Sequence, residues 1–584
     1  MEDLATKNTC RGVNGQHETD ELPPAAHSVD SCCGSWLKSI SLCVPVDYKN
    51  ETVQVLKLAG PVFISQLMTF LIGFVSMVFC GHLGKTELAG VALAIAVINV
   101  TGISIGSGLA STCDTLISQT YGSGNLKCVG VILQRGILIL LLACFPCWAI
   151  LINTQPILLA VRQSPEVARL SQLYVKIFMP SLPVAFMYQL QARYLQNQGI
   201  IWPQVISGAM GNVINAIINY IFLSVLDLGV AGSAAANAIS QCSLGVFLFV
   251  YIYFRGLHKA TWKGWSEDCL QEWGSFFKLA IPSMLMHCLE WWLYEIAGFL
   301  AGIISEVELG AQSVVYELAA IVYMFPMGFS VAATVRVGNA LGAGNTEQAK
   351  LSGKISVICA FIVSCFIGAC LGVSKDVIGY IFTSEKDILQ RVTDIMKMYG
   401  FIHVAEAYAG VAGGVVRGTG KQMVGAVCSL VGFYFIGLPI GVSLMFPVKL
   451  GIVGMWSGLL ISVVMQSIFF SLFLWKLNWK KATKEALVRA GVYIRERNIF
   501  GIENNAMASD EKHSHIKTSQ SNSLSLTEGK LEVPGAGQQT SDDMALSVRQ
   551  LVVRRGLTVV LMFVILAAGV FISELLTGLL KLDK

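Results

Sequence analysis

About thirteen apolar runs, each near the length that crosses a lipid bilayer, dominate this chain. A helix needs roughly 20 apolar residues to cross about 30 Å of hydrocarbon, and it satisfies its own backbone polar groups there. Water-soluble proteins carry about 25% charged residues, whereas this chain carries 13% and is 54% hydrophobic. We therefore predict an all-α polytopic membrane protein. The predicted spans are 54–80, 87–116, 130–152, 170–194, 203–224, 230–254, 276–303, 309–335, 353–373, 394–416, 421–445, 450–475 and 556–579.

The first twelve spans form two copies of one unit. Three pairs of segments match at separations of 221, 220 and 222 residues: Leu56–Pro61 with Phe277–Pro282, Gly122–Asn125 with Gly342–Asn345, and Leu228–Gly232 with Leu450–Gly454. Near-constant spacing at separate places predicts an internal repeat. Each copy has six spans, so both copies begin on the same side of the membrane, and a pseudo-two-fold axis along the membrane normal should relate them. We expect two six-helix bundles with a cavity near mid-membrane depth, as in an alternating-access transporter.

Positive charge in the loops predicts the orientation. Lys and Arg gather after even-numbered spans, and loops rich in these residues stay in the cytoplasm. They are Arg255, Lys259 and Lys263; Arg336, Lys350 and Lys354; Arg417 and Lys421; and Lys476, Lys480, Lys481 and Lys484. The loop 375–391 is basic as well, but it also carries several acids and we treat it as an exception. The N-terminus is therefore predicted to be cytoplasmic, and the C-terminus beyond the thirteenth span extracellular.

These features divide the chain into six predicted regions. They are a cytoplasmic N-terminal tail (1–52), a six-helix N-lobe (53–255), a cytoplasmic linker (256–275), a six-helix C-lobe (276–476), a disordered cytoplasmic linker (477–553), and a thirteenth transmembrane helix with a short extracellular end (554–584). Disorder is expected because residues 485–550 are polar and contain few aromatics, so they cannot bury enough apolar area to become ordered. The thirteenth span has no counterpart in the repeat, which favours an anchor or packing element over a role in transport.

Four glutamates lie inside the apolar spans of the C-lobe. They are Glu290 and Glu295 in span seven, Glu317 in span eight and Glu406 in span ten. A carboxylate near the bilayer centre costs roughly 2.5 to 3.5 kcal/mol on insertion scales, so its default interpretation is a site that handles charge. The N-lobe has no equivalent. Gln66 in the first span is a candidate for lining a substrate path, whereas a structural hydrogen bond or an interfacial position accounts for Asp114 near the end of the second span.

Aromatic side chains accompany these acids at helical spacing. On span seven, His287, Glu290, Trp291 and Tyr294 share one broad face. A carboxylate beside an indole and a phenol suits an organic cation, because cation-π contact adds about 0.5 to 2 kcal/mol. The alternative for an aromatic in a helix is simple packing.

Spans eight and ten add further candidates for the same site. Tyr316 and Tyr323 lie seven residues apart on one face of span eight, with Glu317 about 100° round the helix. His403 precedes Glu406 by three residues, so the two could share a proton or a hydrogen bond. A lone histidine on an apolar helix is, however, more often a satisfied core residue.

The cost of burying four charges suggests how the acids work. Four ionised carboxylates in one cavity would cost on the order of 10 kcal/mol, with mutual repulsion added, so some should be protonated when no cation is bound. A site that holds either protons or an organic cation predicts proton-for-cation exchange, with the proton as coupling ion and no cofactor. Sodium remains an alternative, since hard cations need several oxygen ligands that a sequence does not reveal.

Rival functions fit less well. A flippase of lipid-linked precursors would need a basic cavity, whereas the charges inside these spans are acidic. An intramembrane enzyme would need a nucleophile, an acid-base pair or a metal set, and beyond His287 and Glu290 no further ligand stands out. A channel is conceivable, but a large internal repeat with buried acids favours exchange. The expected partners are small organic cations, protons and the lipid bilayer, without nucleic acid; no particular protein partner is indicated.

Four motifs resemble the multidrug and toxin extrusion (MATE) family. They are Cys80-Gly81-His82-Leu83-Gly84, Ser118-Gln119-Thr120-Tyr121-Gly122, Arg336-Val337-Gly338-Asn339-Ala340-Leu341-Gly342 and Val416-Arg417-Gly418-Thr419-Gly420. The resemblance covers about residues 53–475, and the appended thirteenth span resembles the animal branch. It implies an electroneutral or near-electroneutral exchanger that moves protons in as organic cations leave, in the plasma membrane of excretory epithelia, on the apical face.

The resemblance also implies roles for individual residues. By motif, the four glutamates correspond to the family's required acids. The match at Trp291, Tyr316 and Tyr323 implies substrate contact. Gln66 occupies the place where many bacterial members have an aspartate, a departure that argues against a proton site in the N-lobe.

Overall fold

A computed structural model describes residues 46–81, 83–492 and 548–582, and this described part of the chain is helical and has no strands. The described residues from Glu51 onward form one compact unit. Residues 46–50 are the first turn of helix α1.

The helices follow the repeat. In the first lobe they are α1 Val46–Gly81, α2 Thr86–Gly122, α3 Leu126–Leu151, α4 Pro165–Gln196, α5 Trp202–Val225 and α6 Gly229–Phe254. In the second lobe they are α7 Trp273–Ile304, α8 Glu306–Gly342, α9 Thr346–Ser374, α10 Lys386–Thr419, α11 Gln422–Met445 and α12 Ile452–Lys476. Two more helices follow, α13 Trp479–Arg489 and α14 Val548–Leu582.

The predicted fold class, an all-α polytopic membrane protein, is confirmed. Eleven helices in the described chain are long and apolar enough to cross a membrane. Two further long helices, α7 with 32 residues and α10 with 34, cover predicted spans seven and ten. Both carry charged side chains, which lower their hydropathy. They are also the helices that hold three of the four glutamates.

The two lobes share their turns as well as their helices. Helices α2 and α8 begin 220 residues apart, as do α3 and α9. In the turn before α3, Gly124 has a φ of +79°, and in the turn before α9 Gly344 has a φ of +76°. Glycine adopts such positive values without steric cost. Each glycine precedes an asparagine whose side chain caps the next helix: Asn125 accepts from the Cys128 N–H, and Asn345 from the Gln348 N–H.

Each lobe has a hydrophobic core of its own. The larger core runs from Ile72 to Ala280 in sequence and consists almost entirely of first-lobe side chains. A second core runs from Leu293 to Val463 and lies in the second lobe. A smaller cluster joins Val55 and Ala59 of α1 to side chains of α8, α9 and α10, so α1 also packs against the second lobe.

Helix α14 packs on the outside of the first lobe. Gly569 lies so close to Ala149 on α3 that an added Cβ would meet the Ala149 Cα at 2.8 Å. The Asn153 side chain donates to the Gly569 carbonyl oxygen at 2.9 Å, and the rings of Phe145 and Phe563 meet with centroids 4.8 Å apart. A glycine at this crossing lets the two backbones approach, as is common in membrane helix pairs.

The structure corrects two predicted boundaries. Helix α1 begins at Val46, inside the predicted tail 1–52. Helix α13 occupies part of the region 477–553 for which the composition predicted disorder. It forms because Asn478 caps it, accepting from the Lys481 N–H, and because Ala482 and Ala486 are buried against the second lobe. Residues 493–547 of the predicted disordered linker lie outside the described residues.

Candidate functional site

A cavity of about 80 Å³ lies between the two lobes. A buried water occupies roughly 10 to 15 Å³ on this measure, so the cavity holds a few waters. Its ionisable lining comes from both lobes: Asp114 and Arg193 from the first, and His287, Glu290, Tyr323, Glu406 and Arg417 from the second. Trp291 also lines it and is 40% exposed.

Glu406 is the most firmly held of the four glutamates. It is 6% exposed, and its Oε1 accepts a hydrogen bond of 2.6 Å from the Tyr294 hydroxyl. Its Oε2 is buried and has no hydrogen-bond partner among the described residues. The bond joins α7 to α10 and leaves one carboxylate oxygen able to take a proton or a cation.

Glu290 lies at the same level of the cavity. The Tyr323 side chain on α8 is within hydrogen-bonding reach of it, and Arg417 on α10 interacts with it electrostatically. Glu290 and Glu406 also interact with each other. We call these two acids the inner pair.

Glu295 and Glu317 interact with each other further along α7 and α8, and we call them the outer pair. Neither is among the residues that line the cavity within the described chain. The sequence grouped all four acids in one cavity, and the structure separates them into two pairs. The cause is helical geometry, since Glu295 lies five residues beyond Glu290 and therefore about 7.5 Å further along the axis.

Four predicted contact residues lie away from the cavity lining in the described structure. They are Tyr294, Tyr316, Gln66 and His403. Tyr294 turns its hydroxyl to Glu406, and its ring lies 5.8 Å from that of Tyr316. Trp291 and Tyr323 lie in the wall of the cavity, and their contact with a substrate stays a prediction.

His403 does not form the hydrogen bond with Glu406 that its spacing suggested. It is fully buried, and within the described chain neither ring nitrogen has a hydrogen-bond partner. Its ring lies 6.4 Å from that of Tyr399, one turn away on the same helix. A three-residue spacing brings two side chains to one side of a helix but does not fix their rotamers, and here the carboxylate bonds to Tyr294 instead.

Sequence reasoning missed an ion pair in the first-lobe wall of the cavity. The Arg193 Nη1 lies 3.2 Å from the Asp114 Oδ2, and both side chains are at least 94% buried. The Asn197 side chain donates to the other carboxylate oxygen at 3.2 Å. Of the two alternatives for Asp114, the structure has the hydrogen bond. A basic residue inside predicted span four was the available signal.

A second arginine, Arg417, is half-buried and lines the cavity from the other lobe. Its Nη2 donates to the Ser330 hydroxyl at 2.7 Å. In the described structure no carboxylate oxygen lies within 4.0 Å of it, so it balances Glu290 and Asp114 at longer range. The cavity walls thus hold three carboxyl groups and two guanidinium groups.

Helices α2 and α8 cross at one end of the cavity with their backbones almost in contact. A Cβ on Gly122 would collide with the backbone of Asn339, and one on Gly342 with that of Gln119. The Thr115 hydroxyl donates to the Arg417 carbonyl oxygen at 2.7 Å. These glycines belong to two of the sequence motifs, and only glycine permits so close an approach. The lobes are therefore joined at the end that the sequence predicts to be cytoplasmic.

The chain matches known proteins along most of its length. The model of the MatE family matches residues 61–221 and 282–443, one segment in each lobe. Multidrug and toxin extrusion protein 1 of Danio rerio is 62% identical over 595 residues, covering 100% of both chains. The protein of that name from Homo sapiens is 52% identical over 535 residues, covering 90% of this chain and 94% of its own.

Solved structures agree with the family match. The crystal structure of the eukaryotic MATE transporter AtDTX14 superposes with a TM-score of 0.74 at 29% identity, covering 76% of this chain and 100% of that one. The Vibrio cholerae MATE transporter VcmN in the bent form shares the fold with a TM-score of 0.64 at 18% identity, covering 76% of this chain and 100% of its own. The chain therefore belongs to the MATE family of multidrug and toxin extrusion proteins, and it is a multi-pass membrane transporter for multidrug efflux.

Proposed function

We propose that this protein exports organic cations and cationic drugs in exchange for protons by alternating access. The observation that carries the proposal is the inner pair, two carboxyl groups that face a cavity between the lobes beside Trp291 and Tyr323. An indole face, a phenol and a carboxylate together match an organic cation.

The partners of the acids support this choice. Three other buried acids have arginine partners: Asp114 lies 3.2 Å from Arg193, Glu308 lies 2.8 Å from Arg391, and Glu51 pairs with Arg336. In the described chain, none of the four glutamates has a Lys, Arg or His nitrogen within 4.0 Å. A buried carboxylate without a counter-charge is costly, and a proton or a bound cation relieves that cost. If a proton and an organic cation compete for one carboxyl group, the movement of one is coupled to the movement of the other. The proton is then the coupling ion, and no cofactor is needed.

The two lobes and the joint between them support the proposal of alternating access. The glycine crossing of α2 and α8 closes one end of the cavity, and release of that closure would open it to the other side of the membrane. We propose an N-terminus in the cytoplasm and a C-terminus outside, because the basic loops lie at the crossing end. We further propose residence in the plasma membrane, on the apical face of excretory epithelia.

The test is uptake of tetraethylammonium by membrane vesicles under an outward-directed proton gradient. The wild type should take up the cation faster with the gradient than without it. Glu290→Gln should remove the acceleration, because an amide neither releases a proton nor balances a cation. Glu347→Gln is the matched control, since Glu347 is a carboxylate that pairs with Lys350 at the exposed start of α9.

Two results would contradict the proposal. Gradient-driven uptake by Glu290→Gln at the wild-type rate would show that Glu290 takes no part in proton coupling. Indifference of the wild type to the proton gradient would instead favour the alternatives, sodium-coupled efflux or flipping of a lipid-linked precursor, and a sodium gradient would then separate those two.

A further inference from the structure

The outer and inner acid pairs are separated along α7 by more than the length of a hydrogen bond. Glu295 follows Glu290 by five residues on α7, a rise of about 7.5 Å along the helix axis. A hydrogen bond between oxygens spans about 2.7 Å. A proton that enters at one pair therefore needs a carrier to reach the other.

Two tyrosines lie where such a carrier would be. The Tyr294 hydroxyl donates to Glu406 of the inner pair at 2.6 Å. Tyr316 interacts electrostatically with both acids of the outer pair. The rings of the two tyrosines are neighbours, with centroids 5.8 Å apart and planes inclined at 49°. Each phenol thus belongs to one acid pair, and the phenols adjoin each other.

The same two tyrosines are poorly placed to touch a substrate. Within the described chain, neither lines the cavity, whereas Tyr323 and Trp291 do. The Tyr294 hydroxyl is already engaged by Glu406. Their positions fit contact with the acids better than contact with a cation in the cavity.

The outer pair lies nearer the side from which protons would enter. Glu295 precedes the end of α7 at Ile304 by nine residues, and Glu317 follows the start of α8 at Glu306 by eleven. Both helix ends belong to the loop opposite the glycine crossing, on the side predicted to be extracellular. The inner pair lies deeper, at the cavity.

We propose that Tyr294 and Tyr316 carry protons in series from the outer pair to the inner pair, an inference that rests on the proton coupling proposed above. A carboxyl of the outer pair, protonated by external water, transfers its proton to the Tyr316 oxygen, directly or through water. Tyr316 releases its own hydroxyl proton towards Tyr294, which accepts it on oxygen. Tyr294 passes its hydroxyl proton to the Glu406 Oε1. Each phenol ends with one proton, and one proton has moved inward.

Phenylalanine variants test the proposal because they keep the ring and remove the hydroxyl. For Tyr294→Phe and Tyr316→Phe, two rates are measured in vesicles: exchange of labelled for unlabelled tetraethylammonium at equal pH, and uptake of tetraethylammonium driven by a proton gradient. Cation-for-cation exchange needs no proton transfer, so any loss of this rate should be much smaller than the loss of gradient-driven uptake. Gradient-driven uptake should fall about tenfold or more, in the range of a lost proton-transfer group.

Tyr434→Phe is the matched control. Tyr434 lies on α11 in the same lobe, and its buried hydroxyl has no hydrogen-bond partner among the residues described. Both rates should be unchanged in this variant. The exchange rate also reports whether each protein is folded and inserted.

Three results would overturn the proposal. Equal losses of both rates in Tyr294→Phe and Tyr316→Phe would make the tyrosines substrate contacts or structural supports. Normal gradient-driven uptake in both variants would show that protons bypass them. If a proton gradient does not change tetraethylammonium uptake by the wild type, the proposed proton coupling is wrong and the relay falls with it. Failure of the proposed function is therefore detected before any variant is measured.

Discussion

A buried acid in this protein is structural or functional according to its partner. Asp114 has an arginine and an asparagine within hydrogen-bonding distance, and it is fixed in the wall of the cavity. Glu406 has only a phenol, and one of its oxygens remains without a partner in the described structure. Both residues appear in the sequence as acids within apolar runs. The difference between them depends on side chains that lie far away in the chain.

The ion pair of Asp114 should contribute to stability mainly because breaking it leaves a buried charge. We expect Asp114→Asn to lower the free energy of unfolding by about 3 to 5 kcal/mol, the cost of isolating one partner of a buried pair. Thermal unfolding in detergent would show this as a lowered midpoint. The double variant Asp114→Asn with Arg193→Gln should recover part of the loss, because it also removes the isolated cation. A double variant less stable than Asp114→Asn by the full additive amount would contradict the pairing.

The sequence predicted the acids but not their grouping. Insertion cost alone singles out Glu290, Glu295, Glu317 and Glu406, since each lies within an apolar run. Periodicity along one helix also places Trp291 beside Glu290. It does not reveal that Tyr294 on α7 would bond to Glu406 on α10, 112 residues away. Contacts between helices depend on packing and rotamers, which a single-helix pattern does not contain.

At the scale of helices, α13 ties the two lobes together at the closed end. The Arg489 Nε donates to the Gln119 side chain of α2 at 3.0 Å, and its Nη2 donates to the Thr419 carbonyl oxygen of α10 at 3.1 Å. The Asn125 side chain donates to the Ala490 carbonyl oxygen at 3.0 Å. One arginine at the end of a short helix thus contacts both lobes where they meet.

Removal of the Arg489 side chain should loosen this closure. We expect Arg489→Ala to raise hydrogen-deuterium exchange in residues 338–345 of α8 and its following turn, because the crossing would open more often. Lys484→Ala is the control, since Lys484 is exposed on the same helix and its substitution should leave exchange unchanged. Equal exchange in Arg489→Ala and the wild type would show that α13 does not hold the closure.

In the whole molecule, the two lobes contact each other at glycines whose spacing is visible in the sequence. The repeat predicted two lobes, and the motifs marked the segments that cross, but neither indicated that α2 and α8 approach to backbone contact. That approach follows from the missing side chains at Gly122, Gly338 and Gly342. The amphipathic helix α13 was missed because its polar composition resembles that of the residues after it.

A single methyl group at the crossing should impair transport. We expect Gly342→Ala to reduce tetraethylammonium uptake about tenfold or more, because the new Cβ would collide with the backbone of Gln119. Unlike a side chain, the backbone cannot move aside by a change of rotamer. Gly60→Ala is the control, as a Cβ there meets no atom within 4 Å. Normal uptake by Gly342→Ala, with normal membrane expression, would mean that the lobes need not close so tightly during the cycle.

The matched turns at Gly124–Asn125 and Gly344–Asn345 have a consequence in evolutionary terms. Folding of each six-helix unit demands the same backbone reversal and the same cap, so the two copies of a duplicated ancestor would keep these residues. Folding does not require particular ionisable residues, and these differ between the copies. One copy has an arginine-paired aspartate. The other copy has four glutamates that have no basic partner within the described chain. After a duplication, one six-helix unit can change its ionisable residues and specialise in chemistry. The other unit remains a stable lobe against which the first can move.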